Sequence, residues 1–183
     1  REYGIDVPNF KSSHGDVQHE PFDAHPFLSY DPGLCIQCQR CISTCAKATG
    51  RHALSLERNG ARVYVKVPFG EGWENSLCES CGNCAQACPT GALTIKRRKD
   101  YREWEVKKVR TTCPHCATGC QMDLYVKDGK IVDVQGADGP SNHNLLCVKG
   151  RSGSFDFVDC DARIRYPLIK NKETGEFERA TWD

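Results

Sequence analysis

Apolar positions in this chain come in short bursts separated by polar and turn-forming residues, and no long helical period runs through it. Residues 1–30 show no periodicity. With Pro8, Pro21 and Pro26 among His14, His19 and His25, they read as an extended connector whose histidines are solvated loop residues. Beyond it, Ile42–Ala48 predicts a short helix. Ala53–Leu56 and Val63–Val67 predict two strands, joined through the hairpin signal Asn59-Gly60. Ala85–Cys88 reads as one helical turn stopped by Pro89 and Gly91, and Ala92–Ile95 as a strand. Residues 96–110 lose the apolar pattern. Lys96, Arg97, Arg98, Lys99, Arg102, Lys107, Lys108 and Arg110 stand there against Asp100, Glu103 and Glu105. The reading is a solvated charged linker, with a basic docking surface as its rival. Asp123–Val126 and Ile131–Gln135 then predict a hairpin turning at Lys127-Asp128-Gly129-Lys130, where glycine supplies positive φ.

Composition adds bounds. With 39% hydrophobic residues in 183, a purely apolar core would be thin and would need staples. The net charge of +1 gives no reason to expect nucleic acid as a partner. No apolar run approaches the ~18 residues of a membrane span. The chain starts at Arg1 and has one methionine, Met122, so it is expected to be a slice of a longer protein.

Thirteen cysteines change the picture most. Cys35, Cys38, Cys41 and Cys45 recur 43 positions later as Cys78, Cys81, Cys84 and Cys88. Cys-x2-Cys-x2-Cys-x3-Cys is the spacing of two-cluster bacterial ferredoxins. There three thiolates wrap one cubane and the fourth ligates the other cluster. The expected sets are therefore Cys35, Cys38, Cys41 and Cys88 for one [4Fe–4S] cluster, and Cys78, Cys81, Cys84 and Cys45 for the other. Zinc is the rival metal, but zinc ribbons need only two Cys-x2-Cys pairs. Such spacings point to metal in a reducing compartment rather than to disulfides. Gly82 is expected where backbone approaches a sulfur, and Pro89 in the turn after the fourth ligand. Ala46 stands at the matching place in the first half.

Residues 31–98 thus resemble two-[4Fe–4S] ferredoxin domains. A third motif follows, Cys113-x2-Cys116-x3-Cys120-x26-Cys147, ending in Cys147-Val148-Lys149-Gly150-Arg151. It resembles the iron–sulfur domain of molybdopterin oxidoreductases. The resemblance implies a third [4Fe–4S] cluster on these four cysteines, with Lys149 lying between cluster and pterin. Gly119 and Gly150 would let the backbone close around that cluster, His115 would be a neighbour or exposed, and Cys160 an idle thiol.

The order of motifs resembles the catalytic subunit of cytoplasmic, NAD-linked or electron-bifurcating formate dehydrogenases. Arg1-Glu2-Tyr3-Gly4 is similar to the segment that follows an earlier cluster in that family, and Thr181-Trp182-Asp183 to the opening of its pterin domains. The implied fold class is α+β. An extended connector (1–30) precedes a two-[4Fe–4S] ferredoxin-like domain (31–99) and a charged linker (100–111). A small β-rich [4Fe–4S] domain of molybdopterin oxidoreductase type (112–168) follows, and residues 169–183 begin the pterin-binding part. The resemblance further implies a molybdenum or tungsten molybdopterin outside this chain, no catalytic residue within it, and diaphorase-type or bifurcating iron–sulfur/flavin partners in a hetero-oligomer. Rival readings are a complex I large subunit, a nitrate reductase, an [FeFe] hydrogenase and a stand-alone ferredoxin-type carrier.

Overall fold

The computed structural model describes residues 23–59, 62–66, 73–158 and 160–183. His14, His19, Pro8, Pro21, Gly60 and Val67 lie outside them. The described chain is a mixture of very short helices and four small antiparallel sheets, in keeping with the α+β expectation.

The first unit closes through β1 (Leu28–Tyr30) and β4 (Leu93–Ile95), which pair with Leu28 opposite Ile95. The connector reading therefore ends too late. Residues 28–30 alternate buried, half-buried, buried, and three residues are too few to show that period in sequence. Lys96 ties the preceding turn down, donating from Nζ to the Asp23 carbonyl oxygen at 2.6 Å. Strands β2 (Ser55–Asn59) and β3 (Arg62–Lys66) form the expected hairpin.

The two helices of this unit are α1 (Arg40–Ser43) and α2 (Asn83–Ala87). They show the 43-residue repeat in the backbone itself. Gln37 and Ser80 have φ of 57° and 58°, and Gln39 and Gly82 have 61° and 72°. These left-handed residues bend the chain between successive cysteines so that the sulfurs can converge. The halves then part. Pro89 biases the residue before it to extended backbone, and Cys88 indeed ends α2 at φ −75°, ψ 118°. With Ala46 in place of that proline, α1 continues into a wide π turn over Thr44–Ala48.

The second unit is a three-stranded meander of β5 (Lys107–Thr112), β6 (Gln121–Lys127) and β7 (Lys130–Gly136). Asp128 and Gly129, at φ 50° and 75°, make the predicted tight turn. The charged-linker reading of 100–111 is corrected. Residues 103–105 form a 3-10 turn, and 107–112 form an edge strand. Its charges are met locally: Arg110 donates to Asp123 on β6, Lys108 pairs with Glu103, and the Arg98 guanidinium approaches buried Asp133. After β7 the chain loops back and enters a π turn at Lys149–Gly153, then α3 (Ser154–Phe157). An exposed two-stranded ribbon, β8 (Leu168–Lys170) and β9 (Phe177–Arg179), ends the described part.

Each unit has its own small core, and cysteines are part of both. Leu28, Tyr30, Leu54, Val65, Leu93 and Ile95 pack with Cys41 and Cys84 in the first. Met122, Ile131, Val134 and Leu146 pack with Cys113 in the second. Among the described residues no helix is long and apolar enough to cross a membrane.

Candidate metal centres

The cysteine-rich loops of the first unit bring together sulfurs from both halves of the repeat. A small cavity is lined by Cys78, Cys81 and Cys84 from the second motif and by Cys45 from the first. Backbone amides point at the sulfurs: Ala53 N–H donates to Cys45 Sγ at 3.3 Å, Ser80 N–H to Cys78 Sγ at 3.4 Å, and Leu93 N–H to Cys88 Sγ at 3.5 Å.

The cysteines of this unit also act on one another electrostatically. Burial pushes the Cys41 thiol up to about 11, and the neighbouring thiolates of Cys35, Cys88 and Cys38 add to it. Burial drives Cys84 further upward, followed by Cys81, Cys78, Cys41 and Cys45. Burial likewise raises Cys78, against the Ser80 amide, with Cys81 and Cys45 adding to the rise. Burial also opposes ionisation of Cys88, but the Leu93, Thr90 and Ala92 amides and the Thr90 hydroxyl outweigh it and lower this thiol.

In the second unit Cys120 feels the other three predicted positions electrostatically. Burial raises the Cys120 thiol, with Cys113, Cys116 and Cys147 behind it. The Thr118 hydroxyl and amide lower Cys116, and the Lys149 ammonium contributes in the same direction. Gly150 lies against Cys113, since a Cβ there would sit 3.2 Å from its sulfur. Gly119 takes a positive φ of 64°. His115 packs beside Gly153, and Cys160 is exposed.

These donor sets fit iron–sulfur clusters. Clustered, buried thiols resist ionising together unless cations compensate them, and a cluster of four irons supplies that compensation. Among the described residues no three His, Cys, Asp or Glu side chains converge tightly enough for a single metal ion.

Three features depart from the sequence reading or lie outside it. Gly82 makes its close approach to Arg151 rather than to a sulfur, because a Cβ there would lie 2.5 Å from Arg151 Cδ. Arg151 itself, 1% exposed, joins the two units. Its guanidinium donates to the carbonyl oxygens of Cys81 and Val134 and to the side-chain oxygens of Asn83 and Gln86. The third is His25, which is no solvated loop residue but only 2% exposed. The correction has a local cause: the ring caps the start of β1, with Nδ1 accepting the Phe27 and Leu28 amides at 3.1 and 3.0 Å. Burial and the Lys96 charge both lower its pKa. A side-chain acceptor three residues ahead of a strand start is the signal that the sequence offers for it.

Both cysteine-bearing units match known iron–sulfur domain models. Residues 26–94 match the model of the NADH-quinone oxidoreductase subunit 3 ferredoxin-like domain, and residues 106–156 that of the molybdopterin oxidoreductase Fe4S4 domain. Among similar proteins, the G 2 subunit of NADH-quinone oxidoreductase from Rhizobium meliloti is 34% identical over 99% of this chain and 21% of the relative. The alpha subunit of NADPH-Fe(3+) oxidoreductase from Geobacter sulfurreducens is 33% identical over 81% of this chain and 17% of its own length. A Staphylococcus haemolyticus protein carrying the provisional name of formate dehydrogenase is 30% identical over 88% of this chain and 20% of its own length. The chain thus spans about a fifth of the length of these relatives.

Proposed function

We propose that this chain relays electrons through three [4Fe–4S] clusters. Cys35, Cys38, Cys41 and Cys88 hold the first, Cys78, Cys81, Cys84 and Cys45 the second, and Cys113, Cys116, Cys120 and Cys147 the third. The observation that carries the reading is Cys45, which lines the same cavity as Cys78, Cys81 and Cys84 although it belongs to the other half of the repeat. A [4Fe–4S] cluster, when bound, accepts and releases one electron at a time.

The protein's own residues prepare the sites for that traffic. The amides of Ala53, Ser80 and Leu93 point at the sulfurs of Cys45, Cys78 and Cys88, where negative charge grows when an electron arrives. Lys149 sets a cation beside Cys116 on an exposed edge. If the longer parent protein holds a molybdenum or tungsten bis-pterin centre, Lys149 would stand on the side of the third site toward it. Such a centre would supply the oxidation of formate, and the site beside Lys149 would be the first to take up its electrons. They then pass to the two ferredoxin-type sites and on to a cytoplasmic flavin or iron–sulfur partner that reduces NAD or ferredoxin. The match to a relative provisionally named formate dehydrogenase supports this direction.

A second reading has its own support in the 34% identity to a subunit of NADH-quinone oxidoreductase. The relay would then take electrons from NADH, with no pterin. Anaerobic full-length parent protein separates the two. Bleaching of the cluster absorption by formate is the expected result. Bleaching by NADH with its other subunits, and none by formate, would overturn the formate reading.

A further inference from the structure

We propose that His25 is a positioning residue that tunes the iron–sulfur site at Cys78 through an Nε2–H···S hydrogen bond. The proposal rests on the relay reading above.

The ring's tautomer follows from its partners. Nδ1 accepts two backbone amides, from Phe27 and Leu28, and so carries no proton. The ring proton therefore sits on Nε2. Nε2 stands 3.6 Å from Cys78 Sγ and 3.4 Å from Ser80 Oγ, and its single N–H is shared between them. The Ser80 amide reaches the same sulfur at 3.4 Å, so Cys78 receives one donor from its own loop and one from a residue 53 positions earlier. The ring has little freedom to swing away. It is 2% exposed, fixed at Nδ1 and edge-on to Phe27.

A donor on a ligating sulfur favours the more negative oxidation state and so raises the site's potential. Electron passage here is one electron in and one out. No bond forms or breaks, and the proton stays on Nε2 throughout. His25 thereby makes this site a better electron acceptor than the same four cysteines alone.

The cap and the donor are separable. In His25→Asn, the amide oxygen can accept the same two backbone amides, as Asn does in turns, while the reach to Cys78 is lost. EPR-monitored redox titration of the full-length parent protein provides the readout, with iron content and the melting transition beside it. The Asn variant is expected to keep its iron and its melting transition. One potential should move negative by threefold or more in the reduction equilibrium, about 28 mV at 59 mV per tenfold for one electron, and the others should stay in place. Three unchanged potentials with iron intact would overturn the role of His25 and leave the relay standing. Wild-type protein with no reducible cluster would overturn the relay reading itself. Should the Asn variant lose iron, Ser80→Gly decides. It removes the competing acceptor while keeping the left-handed backbone, so the same potential should rise, and an unmoved potential would overturn the proposal.

Discussion

Arg151 donates its Nε–H to the carbonyl oxygen of Cys81 at 2.9 Å, across 70 positions of chain. The bond ties the segment after Cys147 to the loop of the second cysteine motif. Around it, Asn83 exchanges hydrogen bonds with the Leu146 backbone, and Gln86 does so with Gly136. Burial works against the Arg151 charge, while the neighbouring Cys81, Asp133, Cys84 and Cys147 work for it. The two units are therefore held by a buried, satisfied polar network rather than by an apolar seam.

Arg151→Met keeps much of the volume but removes every donor of that network. Asn83, Gln86 and two carbonyls lose a buried partner, each loss costing about 1–3 kcal/mol. A stability loss of about 3 kcal/mol or more is expected in denaturant unfolding of the cluster-loaded protein. A loss below about 1 kcal/mol would mean that water replaces the guanidinium at no cost.

Gly82→Ala tests the close approach separately. Its Cβ would meet Arg151 Cδ at 2.5 Å on a backbone with φ of 72°. Gly175→Ala is the matched control, since φ is 76° there and nothing lies within 4 Å. Both variants carry the left-handed backbone cost of about 1 kcal/mol. Only Gly82→Ala should add a packing cost, of about 1–3 kcal/mol, measurable in the same unfolding experiment.

The cysteine spacing, the Asp128-Gly129 turn and the stop at Pro89 are legible in the sequence because each is local. What stays hidden there is set by contacts remote in sequence or by edges. His25 meets Cys78 across 53 positions and Arg151 meets Cys81 across 70. Strand β5 escapes detection because it is an edge strand exposed at nearly every position, so its side chains never alternate. Gly82 is legible as a place of close approach, but its neighbour cannot be named without the second unit.

Lys149→Ala bears on the exposed edge beside Cys116. Its removal should leave the iron content unchanged, because four cysteines suffice as ligands. On the proposed pterin reading, electron entry to this site in the full-length protein should slow by tenfold or more in single-turnover absorbance traces, about 1.4 kcal/mol in barrier. Loss of iron would make Lys149 a structural residue of the site.

Cys45→Ser addresses the exchange of ligands between the two halves. The site built on Cys78, Cys81 and Cys84 should lose its [4Fe–4S] signature in EPR while the site of Cys35, Cys38 and Cys41 keeps its own. Damage to the latter instead would refute the crossed assignment.

The most direct test of the three-cluster relay is metal analysis of anaerobically purified protein, with Mössbauer spectra to identify the iron. Three cubanes predict about twelve irons per chain, all in [4Fe–4S] form. A value near eight, or tightly held zinc in place of iron, would contradict the account.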